Sequence, residues 1–244
     1  MAAGKGKRMK NPGMAKVMYE LNGKPMIEYV ALTATALKPE RILLVVGWQK
    51  QSVIDYIAQI FPDTIFVEQN EQLGTGHAVL QTKSKLEDFN GDVLVLSGDV
   101  PALKEQTASA LVGYHRTSEA SATILTAELD DPFGYGRIIR NDDGSVKRIV
   151  EEKDATEKER AIKEINSGIY VFDKMKLFEA LEHITPNNAQ GEYYLTDVFE
   201  MFWKKQWKVS AVKAVDSFEV IGINTADQLE FVRTKALEEH AKQV

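Results

Sequence analysis

The amino-acid sequence predicts an α/β fold, in which helices cover both faces of a mixed, mostly parallel central sheet and a small antiparallel hairpin region is added. Three observations predict it. Short apolar runs alternate with segments of helical periodicity in the first half of the chain. These runs are almost uninterrupted by polar residues, which is typical of strands buried on both faces. In the second half, an Asp-Gly pair between two β-rich runs predicts a hairpin.

The first half of the chain alternates helices and strands. Apolar residues recur at helical spacing from Pro25 to Leu37, and the apolar run that follows ends at Gly47. Strands that alternate with helices in this way indicate βαβ units. The predicted elements are a helix over 25–37, a strand over 42–46, a helix over 51–60, a strand over 64–67, a helix after Gly76, a strand over 93–96 and a helix over 105–116.

In the second half of the chain, the regular alternation of helices and strands gives way to β-rich runs. We predict a strand over 122–127, then a hairpin whose strands 137–140 and 146–150 flank the turn Asp142-Asp143-Gly144. Segments such as Asn166-Ser167-Gly168 are interpreted as loops. The remaining predicted elements are a strand over 169–172, a helix over 175–181, a helix over 195–205 and a C-terminal helix over 225–243.

Composition limits the partners of the protein. The net charge of −6 and pI near 5.4 argue against nucleic acid as a partner, because phosphate backbones are bound by clustered Lys and Arg. The sequence has no cysteine, which excludes disulfides and thiolate chemistry and agrees with a reducing cytoplasm. No apolar run approaches the roughly 18 residues of a membrane-spanning helix. We expect a cytoplasmic protein without membrane partners, for which a homo-oligomer remains open.

The segment Ala2-Ala3-Gly4-Lys5-Gly6-Lys7-Arg8 is a candidate phosphate-binding loop. It matches neither the P-loop nor the Rossmann fingerprint, since Met9 stands where the third glycine belongs. Glycines nevertheless let backbone N–H groups approach phosphate oxygens, and positive charge is added by Lys5, Lys7, Arg8 and Lys16. A flexible basic N-terminus explains the same composition equally well.

A strand should precede such a loop, yet only Met1 does so here. Removal of several buried apolar residues should cost about 1.5 to 3 kcal/mol for each. We therefore expect that the chain begins inside a longer protein. A stub in the place of the first strand is the alternative.

Two further segments follow predicted strands. In Gln69-Asn70-Glu71-Gln72-Leu73-Gly74-Thr75-Gly76, amide side chains can read a base edge and glycines permit close approach, although an ordinary glycine-rich turn is the simpler explanation. Asp99 comes just after a buried strand, where open α/β sheets present ligands. A carboxylate there suits Mg²⁺, which prefers hard oxygen ligands; a plain turn aspartate is the competing interpretation.

Four segments in the second half combine glycine with polar or aromatic residues, the ingredients of a sugar pocket. Each taken alone is a loop, and a solvated charge in an acidic run is the alternative interpretation of Glu151. The segments are 131–136, 151–154, 166–168 and 190–196.

Taken together and in order, these segments resemble the sugar nucleotidyltransferases, most closely the N-acetylglucosamine-1-phosphate uridyltransferase domain of a bifunctional bacterial enzyme. The resemblance runs the length of the chain, and its motifs are weak singly but specific as a series. They are AAGKGKRM, AKVMYELNGKPM, EQLGTGHA, GDVP, DPFGYGRI, IVEEKDAT, EINSGIYVFD, NAQGEYYLTD and GINT.

The resemblance implies a Rossmann-like nucleotide-diphospho-sugar transferase fold in one domain, with a nucleotide-binding half over about 1–115, a sugar-binding half over about 116–224 and a helix over 225–244. The implied nucleotide contacts are Ala2, Ala3, Gly4, Gln69, Gln72, Gly74 and Thr75. The implied catalytic residues are Arg8, Lys16 and Asp99. The implied Mg²⁺ ligands are Asp99 and Asn224. The implied sugar contacts are Gly136, Glu151, Asn166 and Thr196.

The expected reaction joins UTP and N-acetylglucosamine 1-phosphate into UDP-N-acetylglucosamine, with release of pyrophosphate. A phosphate monoester has a second pKa near 6, so its attacking oxygen is largely deprotonated at neutral pH and no base is required. One alternative keeps the fold and uses another sugar 1-phosphate or another nucleoside triphosphate. A second alternative is a regulatory protein that binds nucleotide sugars without catalysis.

Overall fold

A computed structural model describes the chain over residues 1–6, 8–9, 11 and 13–241, with side chains as far as residue 235. Lys7, one of the predicted phosphate-loop cations, lies outside the described residues, as do the side chains on the far half of the C-terminal helix. In the described part of the chain, no helix has the length and apolar character needed to cross a membrane.

Strands and helices follow the predicted alternation in the first half of the chain. The strands are β1 (Glu20–Leu21), β2 (Lys24–Pro25), β3 (Leu43–Val46), β4 (Ile65–Glu68), β5 (Asp92–Val95), β6 (Ala122–Glu128), β7 (Gly136–Arg140), β8 (Val146–Val150), β9 (Glu164–Asp173) and β10 (Val209–Lys213). The helices are α1 (Met26–Ala36), α2 (Lys50–Ile60), α3 (Thr75–Leu80), α4 (Glu105–Thr117), α5 (Glu157–Arg160), α6 (Lys174–Leu181), α7 (Val198–Lys204) and α8 (Ala226–Ala241).

The chain divides into two compact units that are interleaved in sequence. Unit 1 comprises residues 1–71, 97–105 and 218 onward, and unit 2 comprises 72–96 and 106–217. Each unit therefore contains segments that are distant in sequence, and motifs from different parts of the chain belong to the same unit.

The first residues of unit 1 take the place of a strand beside β3. Ala2 forms a parallel bridge with Val46, and its N–H donates to the Val45 carbonyl (2.7 Å). On the other side, the Met1 carbonyl accepts from the N–H of Gly98 (2.8 Å). A single bridge residue, Ala2, thus anchors the loop beside β3, as in the alternative of a stub in the place of the first strand.

The core of unit 1 lies under the phosphate-loop candidate. β3 and β4 pair in parallel, as predicted. Helices α1 and α2 pack against them through Ile27, Val53 and Ile57, which are almost fully buried together with Ala2 and Val46. A second buried cluster contains Leu229 and Val232 of α8 together with Met26 of α1, so that α8 belongs to the core of unit 1.

Unit 2 is built on a six-stranded mixed sheet. Its order is β10-β6-β9-β7-β8, and β5 also pairs with β9. The β10–β6 pair is parallel, whereas β9 is antiparallel to β5, β6 and β7. Antiparallel pairing therefore extends beyond the predicted β7–β8 hairpin, which is present and turns at Gly144 with a φ of +82°.

A bulge in β9 corrects the interpretation of 166–168 as a loop. Thr126 of β6 faces Asn166, whereas Ile124, two residues earlier, faces Tyr170. The extra residues are held because the Ser167 hydroxyl donates to the Leu125 carbonyl (2.6 Å) and Gly168 has a φ of +77°. Bulges redirect side chains at functional sites, and this one sets the position of Asn166.

Two further element predictions need correction. The helix predicted over 195–205 is a 3₁₀ turn, Leu195–Asp197, followed by α7. The Leu195 N–H donates to the Thr75 hydroxyl oxygen (3.0 Å), which fixes the first turn by a tertiary contact. Strand β10 was not predicted, because its alternation of valine with small and polar residues gives a weak apolar signal.

Candidate active site

Three polar side chains of unit 1, distant in sequence, meet at one point. The Lys16 ammonium lies 2.5 Å from Asp99 Oδ2 and 3.0 Å from Asn224 Oδ1. Only 15% of the Lys16 side chain and 18% of the Asp99 side chain are exposed. We call these three residues the Lys16 cluster; it brings the two predicted metal ligands together with Lys16, a predicted catalytic residue.

Backbone contacts fix the Lys16 cluster. Lys16 begins a short 3₁₀ turn, and Gly6 lies so close that a Cβ there would be 2.8 Å from Lys16 Cβ. The Asp99 carbonyl accepts from the N–H of Ile223 (2.8 Å), which places Asn224 beside Asp99. Across the described residues there is no group of three or more His, Cys, Asp or Glu that could hold a metal, so any cation here has few protein ligands.

The glycine-rich loop has a buried base and an exposed tip. Ala2 and Ala3 are buried, whereas Gly4 and Arg8 are exposed. The Lys5 ammonium lies 5.3 Å from the centre of the Trp48 ring, a cation–π distance. The exposed tip leaves this charge within reach of a bound anion.

Gln69 and Gly47 complete the described surroundings of this loop in unit 1. The Gln69 N–H donates to the Val46 carbonyl (2.8 Å), and Gln69 is buried. A Cβ at Gly47 would lie 2.8 Å from Ala3 Cβ and 3.0 Å from the Gln69 carbonyl oxygen. Only glycine at position 47 allows the backbone there to lie this close to both Ala3 and Gln69.

The predicted nucleotide contacts Gln72, Gly74 and Thr75 belong to unit 2. Gly74 has a φ of +119°, and a Cβ there would lie 2.5 Å from the Tyr193 carbonyl oxygen. The Tyr193 N–H in turn donates to the Leu73 carbonyl (2.7 Å). The segment 72–76 is therefore held by the segment 193–195, and it requires glycine at position 74.

All four predicted sugar contacts meet in unit 2. Gly136 faces Asn166 across β7 and β9, and a Cβ at Gly136 would lie 3.3 Å from Glu151 Oε2. The Thr196 hydroxyl donates to Glu151 Oε1 (2.9 Å). We call Gly136, Glu151, Asn166 and Thr196 the Glu151 cluster.

Acidic side chains lie close to Glu151 in the Glu151 cluster. Burial raises the pKa of Glu151, and Asp154 adds to the rise, whereas the hydrogen bond from Thr196 opposes it. Burial also raises the pKa of Asp197 to about 6, with contributions from Glu200, Glu151 and Asp154. The cluster is therefore suited to neutral hydroxyl and amide groups, which a sugar presents.

Sequence reasoning missed two residues of this region. Arg137 is buried and pairs with Glu152 Oε2 (2.8 Å), which also accepts from the Gly134 N–H (3.2 Å). The Tyr170 hydroxyl accepts from the Asn166 side-chain amide (2.6 Å) and orients it. An arginine directly after the Gly-Tyr-Gly turn was the only available signal for Arg137, and the apolar strand 169–172 concealed Tyr170.

Comparison with known proteins agrees with this architecture. Two solved structures of UDP-glucose pyrophosphorylase, one complexed with UDP-glucose and one in the apo form, each superpose with a TM-score of 0.75 at 18% and 19% identity. Each covers 98% of this chain and 97% of the other chain. The nucleotide-diphospho-sugar transferase fold that the sequence predicted is confirmed.

Sequence relatives are closer. The bifunctional protein GlmU of Streptococcus equi subsp. zooepidemicus is 48% identical over 224 residues, which are 92% of this chain and 48% of that protein. GlmU of Acetivibrio thermocellus is 46% identical over 246 residues, 99% of this chain and 52% of that protein. The chain thus spans about half the length of these curated relatives. Residues 1–220 match the nucleotidyl transferase family, and the chain belongs to that family.

Proposed function

We propose that this chain is a Mg²⁺-dependent uridylyltransferase that makes UDP-N-acetylglucosamine and pyrophosphate from UTP and N-acetylglucosamine 1-phosphate. The observation that carries the proposal is the Lys16 cluster, in which residues separated by 83 and 208 positions meet at one point. Membership of the nucleotidyl transferase family and the similarity to GlmU support the reaction class. The series of nine motifs supports the choice of base and sugar.

Charge neutralisation is the main task of the protein in this reaction. An oxygen of the sugar phosphate attacks the α-phosphorus of UTP, the bond between the α-phosphorus and its bridging oxygen breaks, and pyrophosphate leaves. Both reactants are anions, so positioning and charge stabilisation supply most of the catalysis. In the proposal, Lys16 and Arg8 contact the triphosphate and hold it for in-line attack.

Asp99 and Asn224 would hold Mg²⁺. They offer one carboxylate and one amide oxygen, both hard ligands, and their oxygens already converge on a cation, the Lys16 ammonium. Two protein ligands suffice for Mg²⁺, which usually keeps several waters and binds substrate phosphates. Once bound, Mg²⁺ would offset the charge of the triphosphate and of the leaving pyrophosphate.

The base and the sugar are assigned to separate sets of residues. In the proposal, Ala2, Ala3, Gly4, Gln69, Gln72, Gly74 and Thr75 contact the nucleotide. The Glu151 cluster contacts the sugar, whose hydroxyl and amide groups can donate to Glu151 and exchange hydrogen bonds with Asn166. The small-molecule substrates and the absence of a membrane-spanning helix among the described residues suit a cytoplasmic enzyme.

The Lys16→Ala variant tests the proposal. We expect turnover, measured as pyrophosphate release, to be nearly abolished, because the cation that contacts the triphosphate is lost. The matched control is Lys213→Met, which removes an exposed lysine that pairs with Glu128 (2.9 Å) and should leave turnover unchanged. Near-normal turnover of Lys16→Ala, with an unchanged circular dichroism spectrum, contradicts the assigned role.

A substrate panel separates the alternatives. Wild-type protein is assayed with UTP, CTP, dTTP, ATP and GTP against the 1-phosphates of N-acetylglucosamine, glucose and galactose. We expect the fastest pyrophosphate release with UTP and N-acetylglucosamine 1-phosphate. Faster release with another pair identifies a transferase of different specificity. Nucleotide binding without pyrophosphate release from any pair identifies a non-catalytic binding protein.

A further inference from the structure

The Lys16 ammonium occupies the point on which the two proposed metal ligands converge. It lies 2.5 Å from Asp99 Oδ2 and 3.0 Å from Asn224 Oδ1. A lysine ammonium has three donors, so it satisfies both oxygens at once. In this arrangement a second cation bound to the same two oxygens would lie close to the ammonium, where like charges repel.

The protein holds all three side chains of the Lys16 cluster at this point. The Asn224 N–H donates to Gln228 Oε1 (2.7 Å), and the Asn224 side-chain amide donates to the Gly222 carbonyl (3.5 Å). Gly6 confines the stem of Lys16. An enclosed carboxylate is costly unless it is paired, and Lys16 supplies the pair.

We propose that Lys16 is the resident cation of the Asp99–Asn224 oxygen pair in the substrate-free protein, and that it competes with a divalent metal ion for these oxygens until a triphosphate draws the ammonium away. The proposal rests on the proposed function in one respect, the assignment of Asp99 and Asn224 as metal ligands.

Exchange of the two cations links metal binding to nucleotide binding. In the free protein, a metal ion and the ammonium would share one carboxylate at a distance where like charges repel strongly. A triphosphate removes this conflict, because it brings anionic oxygens for both cations. By linkage, the nucleotide strengthens metal binding by the same factor as the metal strengthens nucleotide binding.

The test is a titration of the full chain with Mn²⁺ in the absence of nucleotide and sugar phosphate. Electron paramagnetic resonance measures the free Mn²⁺ ion directly. The Lys16→Met variant keeps an unbranched apolar stem and removes the charge, and we expect it to bind Mn²⁺ about tenfold more tightly than wild type. The Lys16→Arg variant keeps a cation and should bind no more tightly than wild type.

A second variant assigns the tightened binding to this site. Addition of Asp99→Asn to Lys16→Met should abolish the gain, and Lys213→Met should match wild type. Equal Mn²⁺ affinity of wild type and Lys16→Met overturns the proposal, as does a gain that survives Asp99→Asn. If Lys16→Met fails to fold, Lys16→Gln replaces it with the same expectation.

The result is independent of turnover. Pyrophosphate release by wild type, together with an unchanged Mn²⁺ affinity in Lys16→Met, would contradict the cation exchange and leave the proposed function intact. Tighter binding in Lys16→Met, without pyrophosphate release by wild type, would contradict the function and leave the exchange intact.

Discussion

The Lys16 cluster of unit 1 and the Glu151 cluster of unit 2 differ in how they treat charge. In the first, an enclosed carboxylate is paired with an ammonium at 2.5 Å. In the second, Glu151 lies near Asp154 and Asp197, and its pKa is raised because burial and a like charge both disfavour the carboxylate. The Glu151 carboxylate accepts a hydrogen bond from a neutral hydroxyl, that of Thr196.

This difference matches the ligands that we assign to each cluster. A phosphate and its metal ion carry opposite charges. The charged side chains of a site for them can therefore pair with each other in the free protein and change partners when the two ligands bind. A sugar has no net charge on its ring, so acceptors for its hydroxyl groups must be present beforehand. Acceptors held in this way cost stability, because like charges are kept together for the ligand.

The largest predicted effect comes from Asp99→Asn, which removes the charge that we assign to the metal ion. We expect kcat to fall by about 100- to 1,000-fold, the usual loss when a group that stabilises transition-state charge is removed. The free energy of unfolding should change by only about 1 kcal/mol, because the Lys16 ammonium can still donate to two amide oxygens, that of the introduced asparagine and that of Asn224. Pyrophosphate release and urea unfolding measure the two quantities.

The control for Asp99→Asn is Asp63→Asn, which changes an exposed aspartate of the same unit. It should match wild type in both assays. A kcat within about threefold of wild type for Asp99→Asn would remove the carboxylate from the proposed mechanism.

An intermediate effect is predicted for Glu151→Gln, confined to the sugar. We expect the KM for N-acetylglucosamine 1-phosphate to rise by roughly 10- to 100-fold, since a hydrogen bond to a charged acceptor contributes about 1.5 to 3 kcal/mol. The KM for UTP should remain unchanged. Initial rates at varied concentrations of each substrate measure both constants, and the exposed Glu157→Gln serves as the control. An equal rise in both KM values would contradict a sugar-specific role.

The smallest predicted effect concerns stability and its dependence on pH. Burial and neighbouring carboxylates raise the pKa of Asp197 from 3.8 to about 6 in the folded chain. The unfolded chain therefore loses this proton first, and the folded state loses stability as pH rises through this window. Above about pH 6, the full cost of holding an ionised Asp197 lowers the free energy of unfolding. Below pH 3.8, Asp197 is protonated in both states and this cost is absent.

Asp197→Asn should remove this cost. Asp197 makes no side-chain cap bond to α7, so the change breaks no such bond. We expect a gain of about 1 to 2 kcal/mol at about pH 7.5, after allowance for partial exposure, and almost no gain at about pH 3, below the window. Urea unfolding at both pH values measures it, with exposed Asp130→Asn as control. A gain of equal size at both pH values would show that charge is not its cause.

The sequence predicted the helices and strands of the first half well because each apolar run there is short, dense and bounded by glycine or proline. Prediction was poorer where a tertiary contact decides local structure. The Thr75 hydroxyl shapes the turn at Leu195, and the bulge at Ser167 depends on the Leu125 carbonyl. Neither partner is near in sequence, so no local pattern contains the information.

The candidate site shows the same division. Residue types and their order indicated which side chains to examine, and the four members of the Glu151 cluster were all named from motifs. Gly136 must lack a side chain because Glu151 approaches it closely. The pairing of β7 with β9 positions Gly136, and no local sequence pattern shows it. The role of Arg137 was decided likewise, since its partner Glu152 follows β8, the strand that pairs with its own.

The sequence by itself determined the fold class, which follows from hydrophobic periodicity, and the family, which the ordered series of motifs indicates by resemblance. Only the tertiary structure decided that the Lys16 ammonium lies between Asp99 and Asn224. Periodicity is a local property, whereas the position of a charge depends on every neighbour that must neutralise it. The sequence named the three residues, and the fold made Lys16 the counter-ion of Asp99 and the hydrogen-bond donor to Asn224.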